Sequence, residues 1–381
     1  MPAINNESAP KKTSTGYDFS KIKKDLSLLI FLAVLVMFPF IFGWITGTSP
    51  VDGPSKYWQG QLITFFILAV YAMSYDLLIG YTGILSFGHA AFYGSGAYTI
   101  AIFYKHIVPR LVEEGQFSVV IGSIDLTEAI LFIFVLLIVC LICILLGLLF
   151  GAVAIRVKGV YFAMITLAMA DALYILSKAT DFVKWTGADE GLHGIPVPEW
   201  INPNAHRLRF YFIALIFLVF IFLLLRRIVN SPTGKVFVAI RENESRSKMI
   251  GYNPGVYRTM AFIVSGVIAG LAGSMSAVWN LGATTTMTSS LTTINALIIT
   301  ILGGMGTLIG PVLGSGIMQL ISQFFYQWFG PRWPLVFGLL FILLVMFLPH
   351  GIVGTWRRKK PEWKAGWGRM YKLLKTNEEK E

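Results

Sequence analysis

The stretch ILFIFVLLIVCLICILLGLLFGAV, Ile130–Val153, contains no charged residue. A helix needs about 20 mostly apolar residues to cross a bilayer, and this run exceeds that. In lipid no water is available to backbone N–H and C=O groups, so only helices and closed barrels can span. Barrel strands alternate apolar and polar positions over about ten residues, and this run does not alternate. The stretch therefore reads as a transmembrane helix. Its two cysteines, Cys140 and Cys143, are the only ones in the chain. Three residues apart on one helix they are poorly placed for a disulfide, and they read as small hydrophobes.

Outward from this run the composition agrees. The chain is 55% hydrophobic and only 13% charged, with mean hydropathy +0.68, against roughly 25% charged in a soluble protein. Apolar runs recur near 26–47, 58–79, 87–104, 126–153, 160–177, 210–228, 259–281, 291–302, 311–329 and 335–348. The expectation is an all-α membrane protein with about ten transmembrane helices. A cytoplasmic tail is expected over 1–25, a transmembrane domain over 26–350 and a basic tail over 351–381. The third run is interrupted by Gly88, Gly94 and Gly96, so a broken or re-entrant Gly-rich segment is expected there. No Cys/His spacing suits a metal.

The net charge of +11 comes from Lys and Arg at the edges of spans, which points to topology rather than to nucleic acid. Lys11, Lys12, Lys21, Lys23 and Lys24 precede the first run. Arg226, Arg227, Lys235, Arg241, Arg246, Lys248 and Arg258 lie between the sixth and seventh, and Arg357, Arg358, Lys359 and Lys360 follow the last. With an even number of spans all three clusters fall on the cytoplasmic side, N-in and C-in. The opposite loops, 106–125 and 179–209, are long. The second is rich in Gly and Pro and is a candidate docking surface for an external partner.

Three segments carry more information. GYTGILSFGHAAFYGSGAY, Gly80–Tyr98, places irregular, Gly-rich backbone at membrane depth, which is tolerated only against protein or a water-filled cavity. Gly83, Ser86, Gly88 and His89 are its candidate path residues; close helix packing is the alternative. LGGMGTLIGPVLGSG, Leu302–Gly316, repeats the glycine-rich character and adds Gly303, Gly304 and Gly306. The loop NSPTGKVFVAIRENESRSKMIGYNPGVYR, 230–258, carries Pro232 and Gly234, an expected short amphipathic helix over 235–250, and Gly251 with Pro254 as its stop. Val236, Ala239 and Ile240 form its apolar stripe. Arg241, Glu242, Glu244 and Arg246 give it mixed charge, which suits a protein groove better than an anionic membrane. Two carboxylates, Asp76 and Asp171, lie within apolar runs, where charge is costly and marks a candidate functional site.

These blocks, in this order, resemble the LivM-type permeases of branched-chain amino acid ABC importers. The resemblance runs from about 75 to 354 through GYTGILSFGHAAFYGSGAY, RVKGVYFAMITLAMAD with Thr166 and Asp171, KWTGADEGLHGI, GKVFVAIRENESRSKMIGYNPGVYR, LGGMGTLIGPVLGSG and LPHGIVG. Asp76 departs from the family's Asn, Asp171 from its commoner Glu, and Ala188 from a loop Gly. The resemblance implies a permease that translocates branched-chain amino acids or similar small polar solutes across the cell membrane. Its partners would be a second, homologous permease, two cytoplasmic ATPases that bind ATP and Mg, and an external solute-binding protein. Relatives of this kind also carry urea and amides.

The chain has no Gly-x-x-x-x-Gly-Lys-Ser/Thr motif for nucleotide, and no cofactor of its own is expected. The competing readings are a proton-coupled secondary transporter that uses Asp76 and Asp171, a passive channel and, least in keeping with the residues, a membrane enzyme. Topology is directly testable. A reporter fused after Glu381 is expected to be active only if it folds in the cytoplasm; activity confined to the outside would overturn the even-span reading.

Overall fold

The computed structural model describes residues 19–47, 53–113, 120–121, 124–125, 127–157, 159–347 and 351–356. Most of the expected N-terminal tail, the 357–360 basic cluster and part of the 106–125 loop lie outside them. Two compact units divide the chain, Met1–Lys56 and Tyr57–Glu381. In the first, α1 (Phe19–Thr46) carries Pro39 in its interior.

The main unit begins within α2 (Gly53–Asp76), which passes directly into a π turn, Leu77–Thr82. Gly83 ends it with a left-handed φ of +72°, a conformation that glycine adopts at little cost. After an irregular stretch come α3 (His89–Ile102), a second π turn (Phe103–Ile107) and α4 (Val108–Glu113). A short antiparallel pair, β1 (Val120–Ile121) and β2 (Ile124–Asp125), leads to α5 (Thr127–Arg156), α6 (Val160–Lys178) and α7 (Val183–Thr186). Then follow β3 (Leu192–His193), α8 (Arg207–Asn230), α9 (Pro232–Glu242), α10 (Glu244–Met249) and α11 (Pro254–Asn280). The last elements are β4 (Gly282–Ala283), α12 (Ser290–Gly303), α13 (Ile309–Phe329) and α14 (Trp333–Phe347).

A helix stands at each of the ten expected positions, and the described residues include five helices long and apolar enough to cross a membrane: Gly53–Thr82, Thr127–Arg156, Val160–Lys178, Arg207–Asn230 and Pro254–Asn280. Shorter apolar helices are Ile30–Thr46, Ser290–Gly303 and Pro334–Leu343. The protein is thus a multi-span helical membrane protein.

The five long helices differ in role. In α5 only 22% of the apolar window is buried, against 78% in the helix that contains α2. One face of α5 buries Leu131, Val135, Val139, Cys143 and Gly147, while Ile133, Leu137, Leu141 and Leu145 point outward. This is what an apolar helix between protein and acyl chains should do.

The centre is α3, which is enclosed by α5, α11 and α12. The expected span at 87–104 therefore begins at His89 and is enclosed by other helices. Small residues allow this. An added side-chain carbon at Gly96 would collide with the Gly270 carbonyl, one at Gly273 with the Tyr93 carbonyl, and one at Gly266 with the Phe92 ring. The Ser274 hydroxyl donates to the Gly96 carbonyl (3.0 Å) and the Ser265 hydroxyl to the Ser74 carbonyl (2.6 Å). Close backbone approach and hydroxyl bonds are the means by which helices associate where no hydrophobic drive separates protein from lipid.

The loop over 179–209 is tied down by antiparallel pairing of β3 with β4, Leu192 opposite Ala283. Lys178 and Asp189 form an ion pair (3.0 Å). Ala188 holds a left-handed φ of +49°, the conformation that explains why glycine would be favoured there.

The α3–α11 contact gives a stability prediction. Gly96→Ala should destabilise the fold by about 2 kcal/mol through overpacking. Gly338→Ala, where an added carbon meets nothing, should be neutral or stabilising by up to about 1 kcal/mol. Thermal unfolding of the two variants in the same detergent makes the comparison.

Candidate functional site

Between Gly83 and His89 the helix is unwound, and its backbone groups find partners in the preceding turn, in the segment itself and among side chains from other elements. The Gly83 and Ile84 N–H groups donate back to the Leu78 carbonyl. The Phe87 N–H donates to Thr166 Oγ1 on α6 (3.2 Å), and the Gly88 N–H to Ser86 Oγ (3.2 Å). The Ser86 carbonyl accepts from the Tyr75 hydroxyl (3.0 Å). Farther on, Thr293 on α12 accepts from the Ala90 N–H (2.8 Å). These bonds satisfy backbone groups of the unwound segment from within the protein.

Ser86, Gly88, His89 and Thr166 are thus brought together, but as a sealed cluster. His89 is fully buried, with Nε2 2.8 Å from Ser74 Oγ and its ring among Tyr71, Tyr75 and Phe92. A side chain at Gly88 would meet Phe150 and the Thr166 carbonyl, and one at Gly94 would meet Thr288. In this conformation the glycines and His89 are packed closely against neighbouring elements.

A second group of expected residues meets one turn earlier. Asp76 is buried at the end of α2, and its Oδ1 accepts from the Gly306 N–H (2.8 Å). Its other oxygen, Oδ2, is buried without a hydrogen-bond partner. Gly80 has no room for a side chain, because Asp76 and the Gly306 nitrogen fill that space. Gly304 and Gly306 adopt φ of +117° and +71° in the turn between α12 and α13. The two glycine-rich segments are therefore in contact through Asp76. Gly303 packs directly on the Gly310 carbonyl.

The loop over 230–258 closes this group from the other side. The single helix expected over 235–250 is two helices: α9 ends at Glu242, and Asn243 leaves helical geometry to cap α10, its Oδ1 accepting from the Arg246 N–H (2.9 Å). Asn at such a position competes for backbone hydrogen bonds and starts a new helix. The N-terminus of α9 is capped by Ser231, with Pro232 in its first turn, as helix starts favour. Helix α9 packs on the Leu77–Thr82 π turn, α8 and α11. Val236 and Ile240 are 6% and 4% exposed, buried beside Phe237. The apolar stripe packs on the π turn, α8 and α11 of its own chain. The Arg241 guanidinium donates to the Gly80 carbonyl. Glu244 pairs with Arg258 (2.9 Å) and Lys248 (3.4 Å). Glu242 and Arg246 are exposed, and Gly251 takes a φ of +91° after α10.

Asp171 stands apart from both groups. It is half-buried on α6 and has no hydrogen-bond or ion-pair partner among the described residues. A cleft of about 280 Å³ opens beside the unwound segment, lined by Gly83, Ile84, Leu85, Gly159, Phe162 and Arg258. Among the described residues no cluster of His, Cys, Asp or Glu is placed to hold a metal.

Residues 59–348 match the family described as "Branched-chain amino acid transport system / permease component". The chain belongs to this family. Membership makes the permease a transport subunit rather than an enzyme. It is 24% identical over 375 residues to the high-affinity branched-chain amino acid transport system permease protein LivM of Escherichia coli, covering 92% of this chain and 80% of that one. It is 22% identical over 321 residues to a probable LivM of Methanocaldococcus jannaschii, covering 77% and 92%. A shorter match, 27% over 175 residues, covers 44% of the permease and 50% of the autoinducer 2 import permease LsrC of Photorhabdus laumondii. No solved structure matches the permease.

Sequence reasoning missed the exposed apolar tip of the loop. Met249 is 84% and Ile250 66% exposed, with Tyr252 beside them. Part of the signal was present: on one continuous helix Met249 falls outside the stripe that contains Val236 and Ile240, while Ile250 continues it and leaves it only because the helix breaks at Asn243. It also missed Tyr75 and Thr293, whose hydroxyls serve backbone groups rather than forming a motif.

The unwound segment yields a test. Thr166→Val should leave the Phe87 N–H without its acceptor and destabilise the permease by about 2 kcal/mol, while Thr166→Ser should retain the bond. Unfolding midpoints of the purified variants distinguish the two.

Proposed function

We propose that the permease is one membrane subunit of an ATP-driven importer that carries branched-chain amino acids or similar small polar solutes. The observation that carries this reading is the family match across 59–348. That family implies an assembly with a second, homologous permease, two ATPases below and a solute-binding protein outside. In this reading about ten helices cross the cell membrane with both termini in the cytoplasm, as the Lys/Arg clusters favour. The basic tail then lies in the cytoplasm with the loop over 230–258.

In the same reading that loop meets an ATPase through Met249, Ile250, Glu242 and Arg246. An apolar tip ringed by mixed charge suits a protein groove: the tip supplies affinity and the charges supply register. Asp171 faces the solute path or the second permease, because a carboxylate facing acyl chains is costly. The solute passes beside Asp171 and the cleft at Gly83, and ATP-driven closure of the ATPases tilts the helices around it. Asp76 is held on the Gly306 N–H through Oδ1, and its Oδ2 has no hydrogen-bond partner among the described residues.

The test is co-purification of the ATPases with loop variants. Met249→Asp together with Ile250→Asp should lower ATPase recovery by about tenfold or more, and Glu242→Lys should lower it less. Glu244 is unsuitable for charge reversal because it holds Arg258. Uptake of labelled leucine, isoleucine and valine should fall in parallel. Full ATPase recovery with the double variant would remove the loop assignment, and uptake of urea in preference to all three amino acids would move the solute to the amide class.

A further inference from the structure

The cytoplasmic-loop helix α9 and the glycine-rich turn after α12 do not simply lie near each other. They are joined through one turn of backbone at the end of α2. The Arg241 guanidinium donates to the Gly80 carbonyl from one side, and the Gly306 N–H donates to Asp76 Oδ1 from the other. A side-chain carbon at Gly306 would lie 3.1 Å from the Gly80 oxygen and 3.3 Å from Arg241 Nη1, and one at Gly83 would lie 2.6 Å from Arg241 Cγ. Glycine at 80, 83 and 306 is what lets an arginine, a carboxylate and two backbones occupy so small a space.

Two features of this junction are unexplained by packing. The first is the carbonyl chosen by Arg241. Gly80 lies within the π turn Leu77–Thr82, where helical hydrogen bonding is already irregular, and π turns of this kind recur where a helix must deform. The second is Asp76 Oδ2, buried and without a partner. An unpaired carboxylate oxygen is costly in a buried site. Arg241 carries five N–H donors in a planar fork and reaches the same turn of backbone.

We propose that Arg241 is the positioning residue that transmits movement of the 230–258 loop to the glycine turn at Gly306, holding the Gly80 carbonyl in the present state and bonding the free oxygen of Asp76 when α9 shifts. The junction then has two discrete settings. In one, Arg241 fastens α9 to the π turn while Asp76 holds Gly306. In the other, the guanidinium bonds Asp76, the Gly80 carbonyl is released and the π turn is free to rewind. Arg241 acts through the backbone and touches no solute. The proposal rests on the reading of the loop as the ATPase-facing element, but its geometry belongs to this chain alone.

The test uses the complete permease–ATPase complex carrying Arg241→Met, Arg241→Lys or Asp76→Asn. Two measurements are made: labelled leucine accumulated per ATP hydrolysed, and hydrogen–deuterium exchange of the peptide over 303–308. Arg241→Met is expected to retain ATPase recovery and ATP hydrolysis and to lower leucine per ATP about tenfold; because the π turn it no longer fastens carries Asp76 away from the Gly306 N–H, exchange over 303–308 should rise about tenfold, the scale of that one charge-assisted hydrogen bond. Arg241→Lys, which keeps a cationic donor, is expected to restore most of both. Asp76→Asn keeps an acceptor for the Gly306 N–H, so protection there should persist while leucine per ATP falls. Unchanged exchange and unchanged coupling with Arg241→Met would overturn the proposal. Loss of the ATPases with that variant would also overturn it, and place Arg241 in the partner contact instead. If the unmodified complex hydrolyses ATP but accumulates no leucine, the solute assignment fails, and the exchange measurement alone decides the junction.

Discussion

A backbone that leaves helical geometry inside a bilayer has nowhere to send its hydrogen bonds except to other parts of the protein. The unwound segment between Gly83 and His89 meets that constraint through Thr166, Ser86 and Tyr75. Ser86 belongs to the segment itself, but the other partners each come with a helix attached. Thr166 brings α6 against the break, Tyr75 brings the end of α2, and Thr293 brings α12 to the start of α3. Much of the arrangement of helices around α3 follows from where those partners must stand.

Much of this was legible in the sequence. The long apolar run at 130–153 fixed the solvent, and the glycine-rich segments marked where regular helix would fail. What periodicity could not supply was the identity of the neighbour on each apolar face. The stripe of Val236 and Ile240 reads the same whether it meets a partner or its own chain, because the stripe reports only that a face is buried. In the same way, Gly88 and Gly94 announce close approach without saying whether the approaching group is a solute or another helix. The structure puts Phe150 and Thr288 there. Asn243 was readable as a helix start, yet the charged run around it suggested a single amphipathic helix, and local capping prevailed over that pattern.

Asp76 illustrates how one residue type can change the demands on a site. An amide, the residue that the family resemblance leads one to expect at this position, can both donate and accept. A carboxylate only accepts when ionised, so the Gly306 N–H satisfies one oxygen and the second is left over. The carboxylate therefore falls at the place where the 230–258 loop and the glycine turn meet, and it sets the bonding available there.

The glycine faces shared by α3 and α11 restrict how the protein can move. Side chains that interdigitate loosely act as bearings, and two helices separated by them can slip past one another by small steps. Here the Gly96 backbone rests on Gly270, and Gly273 on the Tyr93 carbonyl, so a slip of one residue would drive a side chain into a carbonyl. The pair has lost that degree of freedom and must travel as a single lever. It is bounded by the unwound backbone before His89 on one side, and by β4 with the 3-10 turn Thr285–Thr288 on the other.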